Sequence, residues 1–416
     1  MSSPDNLLQV VQTYQKSMLG ALQNQNCFMD PRVANFKFKN FTDIEANLGS
    51  TVNIQLPFRY VTNPSLTATL QPTTERLASL VIDKAANTST GWTAEQLIEN
   101  VDRFLPDISM GRAAELGAEI EADIASCIPD YTYRFYGDGN TAISSYGQLA
   151  LALASQEQYG VARTNRVGIF DPLTNVQVVN SGLNQFATDR NNEIANSWEV
   201  GEFKGCEWFE SNLLPVHTAG FGGETWARGA TGITFTFASI SPDGTQITFS
   251  GAGTQTGFFA KNDLIEFTSP TLRYVTFTGH KPSGASVQVR VVADADSSGG
   301  NVTVTVYPAL KVYDPNNPIA EGNLNRAITT SDQAVAIPSH LCGLIMAGKP
   351  LYVAMPRLPN TDPFKCVSET DPDSGVSLRL YSGYQFLQNC YGQVTDCVWG
   401  KVLVPEYTMR LVIPIQ

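Results

Sequence analysis

Between Val216 and Val335 apolar residues recur at every second position in six short runs. These are Ile233–Phe237, Thr245–Phe249, Leu264–Phe267, Leu272–Phe277, Val287–Val291 and Val302–Val306. A β-strand points successive side chains to opposite faces, so each run buries one face and wets the other. Pro242-Asp243-Gly244 and Ser297-Ser-Gly-Gly-Asn301 supply hairpin turns between runs. Six strands at this spacing predict a small β-barrel or sandwich over residues 216–335.

The flanks are of another kind. Residues 3–23 carry Leu7, Val11, Tyr14, Met18 and Leu22 on one helical stripe, behind a Ser3 N-cap and Pro4. Such a stripe docks either on its own domain or, as an arm, on a neighbouring subunit. Residues 35–92 switch to alternation in Thr51–Val61 and Ser65–Gln71, followed by the apolar run Leu77–Asp83. They predict a long polar hairpin with little core of its own, and long excursions of that kind are usually functional or interacting. A helix is predicted over 107–128 from Ala113, Leu116, Gly117, Ile120, Ile124 and Cys127, ended by Pro129. A second runs from Ser145 to Tyr159 and stops at Gly160. Arg166–Phe170 reads as a buried strand, and Asp171-Pro172 opens another helix. Residues 342–355 read as helix then strand, and Val376–Phe386 and Gln393–Leu403 as two strands joined by a polar turn. The sequence therefore describes an α+β chain interrupted by a β-domain.

Only 16% of residues are charged, against about 25% in an average soluble protein. That suits a β-rich chain with much buried contact, and equally one that hides surface in an assembly. The net charge of −12 and the scattered Lys and Arg give no basic stripe, which argues against a reader of nucleic-acid sequence. The seven cysteines form no CxxC pair and no zinc-ligand spacing with histidine, so they read as reduced, mostly buried thiols. The amino end has no basic-then-apolar signal, and the longest near-apolar run, Leu341–Ala347, is too short to span a bilayer.

No motif specifies a reaction. His217, His280 and His340 are dispersed, with no GxSxG, HExxH or P-loop. Gly251–Gly257 has the glycines of a phosphate loop without its strand-to-helix context. Asp294-Ala-Asp296 resembles half a calcium loop, but Thr305 stands where the bidentate Glu belongs. The carboxylates of helix 107–128 read as a solvated face. No catalytic residue, cofactor or metal is predicted.

The most specific run is Asp396-Cys-Val-Trp-Gly-Lys-Val-Leu-Val-Pro-Glu406, with Val200–Pro215 and Asp263–Phe267 as weaker companions. Together with the order of parts, these resemble the P22-like branch of the HK97-fold major capsid proteins of tailed bacteriophages, along nearly the whole chain. The resemblance implies an amino-terminal arm at 1–49, an extended E-loop at 50–92, and a P-domain with its spine helix at 93–143. It further implies A-domain parts at 144–190 and 336–372, a P-domain connector at 191–215, an inserted β-barrel domain at 216–335 and carboxyl-terminal P-domain strands at 373–416. Its functional expectation is a virion shell protein assembled in the bacterial cytoplasm into hexamers and pentamers. Scaffolding, portal and decoration proteins are the expected partners; DNA is enclosed without sequence-specific binding, and no membrane is involved. Leu7, Val11, Tyr14 and Met18 of the arm, and Arg59 and Arg76 of the loop, are the expected subunit contacts. No positions match the Lys–Asn crosslink of some family members. Another virion component, a β-rich binding module and an encapsulin-like compartment shell are the alternatives.

Overall fold

The computed structural model describes residues 27–36, 49–57, 75–93, 101–182, 200–225, 235–276, 279–314, 322–360, 366–371, 375–385 and 390–415. The arm helix, the run Ser65–Gln71 and the turn after Phe386 lie outside the described residues. The chain divides into two compact units. One holds the described residues of 1–56, 76–127 and 349–403, the other those of 57–75, 128–348 and 404–416.

The first unit is built on two long strands. β2 (Arg76–Thr93) has 18 residues and β22 (Cys390–Leu403) has 14. β2 pairs first with β1 (Thr51–Leu56), then with β22. β21 (Ser377–Gln385) and β20 (Cys366–Thr370) extend the sheet, and β19 (Leu351–Ala354) pairs the end of β22. Helix α1 (Val101–Ala125) carries the predicted stripe: Ala113, Leu116, Ile120 and Ile124 are all buried. It begins before the predicted start, with Pro106 in its second turn at the loss of one backbone bond. It also ends before Pro129. The Ser126 hydroxyl donates to the Asp123 carbonyl at 2.6 Å, and a side chain competing for that carbonyl closes the last turn. A short α2 (Cys127–Tyr131) follows and contains Pro129.

In the second unit a seven-stranded mixed sheet runs β3 (Phe135–Tyr136), β23 (Thr408–Pro414), β18 (His340–Ala347), β4 (Arg166–Phe170), β6 (Cys206–Glu210), β5 (Glu202–Phe203). β7 (Val216–His217) also pairs β18. α3 (Tyr146–Gln158) starts where Ser145 accepts the Gln148 N–H, and the chain leaves it through Gly160 at φ +98°. α4 (Pro172–Gly182) opens with the Asp171 carboxylate accepting the Thr174 N–H. Leu149 and Leu153 of α3 and Val178 and Val179 of α4 form one core with Trp208, Ile345 and Leu411 of the sheet.

One sequence expectation changes here. Residues 342–347 form a strand rather than a helix. β18 lies between β23 and β4 and is buried on both faces, so its run is apolar throughout and carries no period. The carboxyl end is also shared: residues 377–403 pair in the first unit's sheet, while β23 pairs β18. For the same reason 336–372 divides, with β18 in one sheet and β19 and β20 in the other.

Eight strands between residues 235 and 336 form one antiparallel sheet: β8 (Phe235–Ile240), β9 (Gln246–Ser250), β10 (Gln255–Phe259), β11 (Leu264–Phe267), β14 (Gln288–Val291), β15 (Ala295–Ser298), β16 (Asn301–Tyr307) and β17 (Gln333–Ala336). β9 pairs both β8 and β16, so the pairings β9-β8-β17-β11-β14-β16 return to their start. β12 (Arg273–Val275) and β13 (Pro282–Ser286) make a separate hairpin, and α5 (Phe221–Thr225) precedes the first strand. Inward positions of the alternating runs, among them Phe235, Phe249, Ile265, Phe267, Val289 and Val304, fill the interior. Tyr133, Tyr159 and Val161, from outside residues 216–335, belong to that same core.

Candidate assembly surface

The β1–β2 hairpin alternates as strands with one covered face must. Val52, Ile54, Leu80 and Ile82 are buried, whereas Thr51, Asn53, Gln55, Leu77, Ser79 and Val81 face solvent. Leu77 is 52% exposed and Val81 42%. β1 ends the sheet, so its outer edge has no strand partner among the described residues. An open edge beside exposed apolar side chains is the arrangement that takes up a further strand or an apolar cover from another chain. Arg76 begins β2, half-buried and opposite Leu56. Leu7, Val11, Tyr14, Met18 and Arg59 lie outside the described residues.

The hairpin stands on a rigid base. Arg112 of α1 donates through Nη2 to the Thr88 carbonyl at 2.7 Å and to Thr395 Oγ1 at 2.8 Å. Farther along the helix, Asp123 Oδ2 accepts the Trp399 indole N–H at 2.8 Å, and Oδ1 pairs with Lys401 Nζ at 2.7 Å. Positions 112 and 123 are about 16 Å apart along a helix. Thr395 and the Trp399–Lys401 pair are about 13–20 Å apart along a strand. The two intervals agree, so α1 runs alongside β22 in the same direction and is clamped near both ends of the contact. Arg379 and Asp396 add a bidentate pair between β21 and β22. Residues 396–403 of the run 396–406 thus belong to the strand that grips the helix. Asp123, expected on a solvated face, is half-buried and holds two partners, and Glu121 is 3% exposed.

In the second unit two of the dispersed histidines meet. His217 Nε2 and Asp263 Oδ1 are 2.8 Å apart, and the imidazoles of His217 and His340 are edge-to-face at 5.3 Å. Asp263 Oδ2 also accepts the Ala260 and Gly220 N–H groups. His340 places Nδ1 2.7 Å from the Pro338 carbonyl, so that nitrogen carries the proton and Nε2 faces Arg410 Nη1 at 3.3 Å. Burial, with the Arg410 charge beside it, pushes His340 down to about 3. Burial pushes the neighbouring Cys342 thiol up. Arg410, fully buried, donates to Thr132 Oγ1 and to the Pro129 and Thr132 carbonyls. A neutral imidazole, a protonated thiol and an enclosed arginine tie strands together and present nothing to a substrate. His280 lies apart, stacked on Tyr313 at 5.2 Å.

A cavity of about 380 Å³ opens beside β3, with the carboxylates Asp138 and Glu266 in its wall. Asp138 accepts from Asn140 and Thr141, and Glu266 from Ser286. Asp294 and Asp296 accept backbone N–H groups of Lys261 and Gly257. Among the described residues no group of three or more His, Cys, Asp or Glu is placed to hold a metal ion. No described helix is long and apolar enough to cross a membrane.

No protein-family model and no curated protein matches the chain. Solved structures similar to it include one titled for Mycobacterium phage Che8, with 11% identity, a TM-score of 0.46 and 93% of this chain covered against 91% of the other. The capsid structure of the cyanophage P-SCSP1u is similar at 12% identity and TM-score 0.42, covering 93% and 88%. The head structure of Helicobacter pylori bacteriophage KHP40 is similar at 9% identity and TM-score 0.38, covering 88% and 84%.

Proposed function

We propose that the chain is a major capsid protein of a tailed bacteriophage, of the P22-like branch of the HK97 fold, and that many copies close into an icosahedral shell. The observation that carries this reading is the β1–β2 hairpin, whose β1 edge has no strand partner among the described residues and whose wet face carries Leu77 and Val81, on a base held by α1 and β22. Such a base holds its shape alone, while its hairpin is completed by another copy. In the terms of the resemblance, α1 would be the spine helix of the P-domain, β1 and β2 the E-loop, β4 and β18 with α3 and α4 parts of the A-domain, and the ring of strands the inserted β-barrel. Weak contacts repeated over many copies suffice for closure, because each copy contributes the same surface.

Scaffolding, portal and decoration proteins would be the partners, and maturation would shift subunits as rigid bodies. The acidic balance of the chain suits a wall that encloses DNA without adhering to it. The test is electron microscopy of the chain expressed with its genomic neighbours. Closed shells tens of nanometres across are expected. A single-copy species under every co-expression would sink the reading. Arg76→Glu should leave a folded single copy and abolish shells, and normal shells from that variant would remove Arg76 from the contact.

A further inference from the structure

The base of the hairpin contains an elbow. Along β2 the register with β22 slips once: Ile82 faces Gly400 and Lys84 faces Trp399, which leaves Asp83 as an extra residue. A bulge of this kind bends its strand and re-aims the residues beyond it. On the hairpin side of the bulge, the Ile82 carbonyl accepts the Gly49 N–H at 2.7 Å, and the Ile82 N–H donates to the Ser50 carbonyl at 3.0 Å.

Gly400 shows where the bend goes. A Cβ at that position would stand 2.2 Å from the Val81 carbonyl oxygen and 2.8 Å from Leu80 Cδ2. In a strand the Cβ projects from the face of the sheet. Leu80 and Val81 therefore cross in front of β22 instead of continuing beside it, and Leu80 and Ile82 are fully buried there. β22 itself is held on both sides of this point. Gly400 pairs with Ala354 of β19, and Trp399 and Lys401 both hold Asp123. If the contact tightens, the hairpin is the part that must swing.

We propose that Gly400 and the Asp83 bulge set the angle at which the β1–β2 hairpin leaves its sheet, and that this angle selects the curvature of the shell. The second half of that statement rests on the shell reading; the first does not. The partner is a second copy of this chain, met by the exposed face of Leu77 and Val81. The missing side chain at residue 400 would therefore determine assembly by geometry, through the hairpin it lets pass.

The experiment has two arms. Nitroxides at Gln55→Cys and Ser89→Cys, in a Cys27→Ser/Cys390→Ser background, report the hairpin angle in the single-copy protein by pulsed dipolar spectroscopy. Gly400→Ala should shift the mean distance by several ångström. Should that variant fail to fold, Leu80→Ala, which empties the seat against Gly400, should broaden the same distribution. A distance unchanged in whichever variant folds overturns the elbow. In the second arm, folded Gly400→Ala should give shells of altered diameter or open sheets. Shells of unchanged diameter despite a shifted distance overturn its role in curvature. If the parent chain forms no shells at all, the shell reading has failed, and the spectroscopic arm still decides the elbow.

Discussion

The ring of strands at 235–336 and the hairpin at 51–81 are written in the same alternating pattern and end in opposite states. In the ring each of the six strands has a partner along both edges, and the inward residues meet one another. Phe235 and Phe249, for instance, stand edge-to-face with centroids 4.6 Å apart. Among the described residues β1 has a partner along one edge only, and Leu77 and Val81 face water. Alternation decides which side chains share a face, and strand count and closure decide whether anything covers them. Two strands cannot cover themselves, and a closed ring has no edge to offer. The contrast separates a part that closes on itself from a part that, on the shell reading proposed above, another copy would cover.

The sharpest way to break that contrast is to damage the ring. Phe249→Ala should destabilise by about 3–5 kcal/mol, since it removes a fully buried ring and leaves a void among Phe235, Phe267 and Ile247. Urea unfolding measures it, and a loss below about 1 kcal/mol would show the ring to be loosely filled. Because Tyr133, Tyr159 and Val161 share that core, the damage should reach the seven-stranded sheet. Protease sites there should open together with those in the ring.

The base of the hairpin is less demanding. Asp123→Ala removes the acceptor of the Trp399 indole and the partner of Lys401 at one stroke. It should cost about 2–3 kcal/mol, from two charge-assisted hydrogen bonds in a half-buried setting. The Trp399 indole N–H resonance, which the Asp123 bond holds, should shift when its acceptor is removed. An unchanged spectrum would place α1 away from β22.

Acid should find the second unit. The fold refuses a proton at His340 until about pH 3, whereas the unfolded chain takes one near the ordinary histidine value of 6.5. The contribution is full above pH 6.5 and is lost as the pH falls through the window from 6.5 to about 3. At pH 5 the loss should be about 2 kcal/mol. His340→Gln, which can still donate to the Pro338 carbonyl and accept from Arg410, should remove that part of the pH dependence. Parallel slopes for the two proteins between pH 7 and 5 would locate the acid sensitivity elsewhere.

What the sequence revealed depended on how local each cause was. The Ser145 cap and Gly160 stop of α3, the α1 stripe and the six alternating runs were legible because each is specified within a few residues. β10, β13 and β15 were not. Gln255–Phe259, Pro282–Ser286 and Ala295–Ser298 are small, polar or glycine-bearing segments that become strands only because partners lie beside them. β18 reads as a helix in the sequence because a strand buried on both faces has no period. At the candidate surface, the run 396–406 drew notice as a pattern, but its partner Asp123 is 276 residues away from Trp399 and looked like an ordinary surface carboxylate. His217 and His340 are separated by more than a hundred residues and are joined only by the pairing of β7 with β18.

The smallest effect on stability should accompany the largest effect on assembly. Leu77→Ser changes a side chain that is already half in water, so unfolding should move by less than about 0.5 kcal/mol. The same change removes apolar area from the one hairpin face that another copy would cover. Shell yield should therefore fall while the urea midpoint stays in place, and Val81→Ser should behave alike. A variant that unfolds more easily but assembles normally would reverse the contrast, making Leu77 part of the subunit's own core. A variant silent in both measurements would return the exposed face of the hairpin to ordinary solvated surface.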